Sequence, residues 1–148
     1  MTGHDEEADF FEKRSGNWKT LWKDDIGFMV SVTLLSIAAS LLTTQSQNAR
    51  FENGSWTNES VGWTEGDHWA YSFNVMHDIP GLISLMGRDR VVTRLDEHFA
   101  QGHNDHTNEP SHHISYLYTA IPGLAWKTQE KVRDLARDNY FNRIDGLL

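Results

Sequence analysis

The chain has 148 residues, with 13 Lys and Arg against 21 Asp and Glu, a formal net charge of -8. That length suits one modest domain, and the acidic balance with scattered cations speaks against a general nucleic-acid binder or a basic membrane-surface helix. The absence of Cys excludes disulfides, thiolate metal sites and thiol nucleophiles.

Hydrophobic residues make up 39% of the chain and charged residues 23%, enough apolar side chain to form a core at this length. Six Trp, seven Phe and four Tyr fit either an aromatic core or a surface on which flat rings stack against sugars. The first residues are acidic and lack the basic and apolar regions of a signal peptide. The default expectation for the chain as it stands is therefore cytosolic.

Over residues 5–22, Phe11, Trp18, Leu21 and Trp22 recur at helical spacing behind an acidic first turn, which predicts a helix. Residues 28–42 are the most apolar in the chain, yet shorter than the roughly 18 to 20 residues of a bilayer span and interrupted by Ser and Thr. No membrane association is expected unless this stretch inserts. Residues 48–62, rich in Asn, Ser, Gly and Thr, read as a surface loop.

Thr64 followed by Asp67 resembles a capping signal, with Trp69, Phe73 and Met76 at helical spacing until Pro80 and Gly81. Residues 80–86 predict a short apolar helix. Residues 89–99 predict another, with Val92, Leu95 and Phe99 as its inner stripe. Residues 102–108 form a His-rich polar loop. Pro110 then starts a helix carrying Ile114, Leu117 and Ile121, and a last helix over 125–140 carries Trp126, Val132 and Leu135. No strand-period segment matches these in strength, so the expected fold is all-α, built of consecutive helical hairpins. Met76, Phe73, Tyr116 and Tyr118 are expected in the core.

Two carboxylates stand beside aromatics or histidines at helix starts: Glu65 in Trp63-Thr64-Glu65-Gly66-Asp67, and Glu109 in Asn108-Glu109-Pro110-Ser111-His112-His113. A carboxyl group desolvated by a flanking Trp holds its proton near neutral pH, the state that glycosidic bond cleavage needs in a general acid. The plainer reading is that Glu65 and Asp67 satisfy helix N-terminal amides. His103, His106, His112 and His113 fall within eleven residues, which raises a zinc hydrolase reading, although the spacing is not that of His-Glu-x-x-His and solvated loop histidines are the plain alternative. Asn108 and Glu109 offer oxygens better suited to calcium, which takes about 6 to 8 of them. His77 and Asp78 form a further polar pair explained equally by helix-end hydrogen bonding. Phosphate-loop, dinucleotide and serine-elbow motifs are absent.

Taken in order, Gly62-Trp63-Thr64-Glu65-Gly66-Asp67, His77-Asp78-Ile79-Pro80-Gly81, Leu85-Met86-Gly87, Leu95-Asp96, Asn108-Glu109-Pro110-Ser111-His112-His113, Tyr116-Leu117-Tyr118, Trp126-Lys127-Thr128-Gln129-Glu130 and Asp145-Gly146-Leu147 form a specific string. It resembles the catalytic domain of glycoside hydrolase family 92, the calcium-dependent exo-acting α-mannosidases, over about residues 6–29 and from 48 to the end. The resemblance implies a segment of an α/α toroid, ordinarily paired with an N-terminal β-sandwich. It implies action on terminal α-mannosides of N-glycans with inversion at the anomeric carbon, and calcium as cofactor. Glu65 then corresponds to the general acid. Trp63, Asn108, Glu109, His112 and His113 line the sugar, with the calcium region near Asn108, Glu109 and His112.

The base of an inverting enzyme stands about 6.5 to 9.5 Å from the acid, across a water. In the family it comes from a Gly-Asn-Asp-Asp-type motif that would follow Leu148. The resemblance thus implies a fragment that is inactive alone, with a noncatalytic sugar-binding or non-functional remnant as the alternative. Residues 30–47 have no counterpart in the family and read as an insertion. A translated intron fits them: Val30-Ser31 suits a GTAAGT donor, Leu42-Thr43 a branch site and Gln47 a terminal CAG. Retention of the segment in every transcript, seen by cDNA sequencing across the junction, would exclude the intron. A genuine buried helix or a membrane-seeking insertion is the other reading.

Overall fold

The computed structural model describes residues 4–31, 51–57 and 60–140. Most of residues 30–47, expected as an insertion, and the Asp145-Gly146-Leu147 motif lie outside the described residues. In chain order come α1 (Asp5–Ser15), a 3-10 helix (Gly16–Leu21), strands β1 (Trp22–Lys23), β2 (Phe28–Met29), β3 (Phe51–Glu52) and β4 (Ser55–Trp56), then α2 (His68–Tyr71), α3 (Ile79–Met86) and α4 (Arg88–Ala100). Two 3-10 turns (Glu109–Ser111 and Ile114–Ala120) lead to α5 (Ala125–Asn139). The fold is mostly helical, as the periodicity predicts. Among the described residues no helix is long and apolar enough to cross a membrane.

Two antiparallel hairpins correct the expectation of helices and loops alone. Trp22 pairs with Met29 and Lys23 with Phe28, so the helix predicted to run to Trp22 ends at Ser15 and the chain tightens into a 3-10 helix before the first strand. Phe51 pairs with Trp56 and Glu52 with Ser55 inside the stretch read as loop. Asn53 and Gly54 both have positive φ, 54° and 83°, the backbone of the two-residue turn that Asn-Gly favours. Beyond β2, the Val30 amide still donates to the Leu21 carbonyl, and the Ser31 hydroxyl donates to the Val61 carbonyl. Val30 therefore continues the hairpin, and Ser31 ties the chain to the loop before α2.

α3 begins where the Asp78 carboxylate accepts the Gly81 amide at 2.9 Å, and Pro80 occupies the first turn, where no amide proton is needed. It ends at Gly87, whose φ of 82° reverses the chain directly into α4. A Cβ at Gly81 would collide with the Asp78 carboxylate. Gly81→Ala is thus expected to expel the capping carboxylate and destabilise the chain by about 1–2 kcal/mol; urea denaturation followed by circular dichroism measures it, and an unchanged midpoint would contradict the cap.

The larger core gathers Met29, Phe73, Leu82, Met86, Val91, Leu95, Ile114, Leu117, Tyr118 and Ile121. The buried face of α4 is Val91, Leu95 and His98, while Val92 and Phe99, expected at its centre, pack along the flank. Residues 114–120 form a 3-10 helix rather than the predicted α-helix, and α5 seats Thr128, whose hydroxyl donates to the Ser115 carbonyl at 2.8 Å. Phe73 and Tyr118 are buried as expected. Met76 and Tyr116 are exposed instead, as are Phe11 and Trp126 from the predicted helical stripes.

The smaller core is aromatic. Phe28 meets Trp69 edge-on at 4.8 Å and Trp56 at 5.4 Å, and the Arg94 guanidinium lies 4.5 Å from the Phe28 ring centre. It joins the first hairpin, the second hairpin and α2. Trp69 therefore leaves one face toward the loop that follows α4.

Candidate active site

The loop before α2 is shaped by aromatic packing. Trp63 stacks on Tyr71 at 4.7 Å with an interplanar angle of 8°, and meets His68 edge-on; His68 in turn stacks on Trp56 at 3.7 Å. The Tyr71 hydroxyl donates to the Thr64 carbonyl. Asp67, rather than Thr64, caps α2, its carboxylate accepting the Ala70 amide at 2.8 Å. Between these two fixed points Glu65 has a φ of 61°. This left-handed backbone costs a residue with a side chain on the order of 1–2 kcal/mol.

The second loop arrives from the far side of α4. The Asn108 side-chain amide donates to the Glu65 carbonyl across 43 positions of sequence. His103 lies flat on Trp69, ring centres 4.1 Å apart and interplanar angle 11°. Asp105 folds the loop back on itself, its Oδ1 accepting from the Thr107 amide at 3.0 Å and from the Thr107 hydroxyl. Together the two loops enclose a cleft of about 250 Å³ lined by Ser60, Glu65, Asp67, His103, Asp105 and Asn108, with Gly66, Ala70 and Ser111 on its walls.

Glu65 and Asn108 thus meet in one cleft, but the other candidates do not converge on it. Trp63 backs the Glu65 loop through Tyr71 rather than lining the cleft, and Glu65 is itself exposed, so the desolvating contact expected from Trp63 is not formed. Glu109 opens a 3-10 turn with its side chain exposed. His112 Nε2 donates to the His106 carbonyl at 3.0 Å, and His113 Nε2 donates to the Phe73 carbonyl at 2.9 Å. These two histidines fasten the loop to the body. His77 likewise donates to the Ser15 carbonyl at 2.9 Å, and Asp78 caps α3, so that pair serves helix ends.

Among the described residues no three His, Asp or Glu side chains come close enough to share a metal ion. The four loop histidines are directed to Trp69, Tyr140, a carbonyl of the same loop and the Phe73 carbonyl, and supply no common zinc centre. Nor do Asn108, Glu109 and His112 form a calcium cage. One bonds through its amide nitrogen, one is turned outward and one donates to a carbonyl, far short of about 6 to 8 convergent oxygens.

Burial governs the titration behind the cleft. His98 is fully buried on α4, and among the described residues neither ring nitrogen has a hydrogen-bond partner. Burial pushes its pKa down to about 4, the nearby Asn104 amide opposing slightly and His103 and His113 adding to the fall. The Asn104 amide makes no hydrogen bond of proper geometry to the ring. His106 is also lowered, by burial first and by the charge of His112 second. On the opposite flank, burial and the Asp96 carboxylate push the Tyr118 hydroxyl up; that carboxylate accepts both Tyr118 at 2.8 Å and Lys127 at 2.6 Å, tying α4 to α5.

The sequence offers His103 as a metal ligand or a solvated loop histidine, and gives Asp105 and Tyr71 no individual role. Tyr71 carried one usable signal, because a Gly-Asp pair ahead of a short aromatic helix leaves room for a ring over the glycine. A Cβ on Gly66 would lie 2.7 Å from that ring.

The profile of the glycosyl hydrolase family 92 catalytic domain matches residues 1–148. The chain belongs to glycosyl hydrolase family 92. No curated protein matches it. Membership makes the chain part of a glycoside hydrolase domain whose substrate class is carbohydrate.

Proposed function

We propose that this family 92 chain forms one wall of the sugar-binding site of an inverting exo-α-mannosidase, part of an α/α toroid, acting on terminal α-mannosides of N-glycans. The observation that carries this reading is the closure of Asn108 on the Glu65 carbonyl, which joins two distant motifs into one cleft the size of a single sugar ring. Glu65, exposed on that cleft, donates a proton to the departing glycosidic oxygen. Asn108 and His103 offer hydrogen-bonding groups to sugar hydroxyls. Trp63, Glu109, His112 and His113 support the site, the last two through the carbonyls they hold.

Calcium remains our assigned cofactor on family grounds. The oxygens gathered here are too few to hold it, so no step of the reaction is routed through it. Neither is the water-activating base assigned to a described residue, because Asp67 and Asp105 already serve a helix cap and a loop turn. That occupancy favours a second reading, in which this chain alone binds sugar without cleaving it.

Release of mannose from a panel of α-mannobioses, with calcium present, tests the proposal. In a protein that carries these residues together with the base, hydrolysis is expected to give β-mannose first and to fall by about 10²–10⁴-fold in Glu65→Gln, while the 148 residues alone are expected to release none. Turnover unaffected by that change, or α-mannose as the first product, would overturn the proton-donor assignment or the inverting course. Saturable mannoside binding without any release in that protein would select the second reading.

A further inference from the structure

The Glu65 backbone is held from both sides. Tyr71 donates to the carbonyl of the preceding residue, Thr64, and Asn108 donates to the carbonyl of Glu65 itself. Asp67 fixes the following residue but one by capping α2. At the centre of this three-point attachment sits a non-glycine residue at φ 61°, followed by a glycine whose missing Cβ leaves room for the Tyr71 ring. A glutamate gains nothing from left-handed backbone by itself, and Gly66 next door would adopt it without cost. Strain concentrated on a cleft-lining glutamate whose carboxylate, unlike those of Asp67 and Asp105, caps no helix and closes no turn, and countered by donors from two other elements, is the pattern of a side chain being aimed.

We propose that Asn108 and Tyr71 are positioning residues that clamp consecutive carbonyls to hold Glu65 in a left-handed conformation and direct its carboxyl into the sugar cleft. This rests on the reading of Glu65 as proton donor and assigns a device to it. Tyr71 never touches the sugar; it acts through the Thr64 carbonyl while its ring is braced on Trp63. Asn108 has two tasks on two atoms: its nitrogen holds the loop, and its oxygen stays available to a ligand. Sequence order separates these parts, so the acid is correctly aimed only after α4 has returned the second loop to the first.

Two isosteric variants remove a donor and little else: Tyr71→Phe deletes one hydroxyl, and Asn108→Asp replaces the amide nitrogen by oxygen. The measurement is NMR of the 148-residue chain, reading the backbone carbon shifts and HN–Hα coupling of Glu65, which report φ, and its carboxyl carbon during titration with methyl α-mannoside. The wild-type chain is expected to show left-handed Glu65 and a carboxyl that responds to the sugar. Each variant is expected to lower the left-handed population relative to its competitors by about fivefold, the factor that one ordinary hydrogen bond supplies. The carboxyl response falls in parallel, while His103 still responds to the sugar.

Variants that keep both the left-handed signature and the carboxyl response would overturn the clamp while leaving the proton donor in place. A wild-type carboxyl indifferent to the mannoside, with φ still dependent on the two donors, would overturn the proton-donor reading and the aiming role with it. If Asn108→Asp fails to fold, Tyr71→Phe decides alone.

Discussion

Trp69→Ala is expected to lower the stability of the chain by about 4 kcal/mol, within the range found for removing a large buried aromatic. Trp69 is 2% exposed and lies where the first hairpin, α2 and the His103 loop come together. Its loss takes the edge-on partner from Phe28, the platform from His103 and one of the rings facing Arg94. A domain of this size has only about 5–15 kcal/mol in hand, so the variant is expected to be partly unfolded in mild urea. Trp69→Phe keeps an apolar face and should recover part of the loss. A fall below about 1 kcal/mol, by urea denaturation with circular dichroism, would mean that the aromatic cluster is not what joins these elements.

Acid is expected to act through His98. Its folded-state pKa is about 4, below the ordinary 6.5 of an unfolded histidine, so between these values the unfolded chain binds the extra proton and the folded chain does not. The contribution is intact above pH 6.5, is lost as pH falls from 6.5 toward 4, and levels off once the folded form is protonated as well. Its size is on the order of 3 kcal/mol. Among the described residues the faces around the ring leave no compensating acid: Trp69, Phe73 and Phe99 enclose it, and His103 and His113 add like charge when protonated. In His98→Leu the difference in stability between pH 7 and pH 4 should shrink by about that amount, because an unpartnered buried ring gives up nothing by becoming apolar. Equal pH dependence in the two chains would contradict the assignment.

What the sequence made legible was the helical part. α3, α4 and α5 lie within a residue or two of their predicted spans because Asp78, Pro80 and Gly87 punctuate them and apolar stripes continue between. The hairpins escaped because each strand is two residues long, too short to display a period. Asn53-Gly54 was nonetheless a readable turn signal. Residues 114–120 read as α-helix because Ile114 and Leu117 are three apart, a spacing that fits a 3-10 helix equally well over so short a run.

The same logic divides the site. Glu65 and Asn108 stood out because their motifs are distinctive, but their meeting depends on chain closure over 43 positions, which no local pattern encodes. The sequence expects His112 and His113 to line the sugar; in the structure each donates to a backbone carbonyl, at 3.0 and 2.9 Å. A histidine beside another histidine looks the same in sequence whether its nitrogens hold an ion or a loop. The exposure of Trp126 and Met76 was equally hidden, since apolar side chains at helical spacing mark a face without saying what covers it.

The central claim is that the Glu65 cleft receives a sugar. Titrating the isotope-labelled chain with methyl α-mannoside, with methyl β-glucoside as a control, tests it most directly. Saturable shifts confined to Ser60, Glu65, Asp67, His103, Asp105, Asn108 and their neighbours, with the mannoside preferred, are what the cleft predicts. A mannoside that leaves these resonances unmoved, or shifts residues scattered elsewhere on the surface, would contradict it.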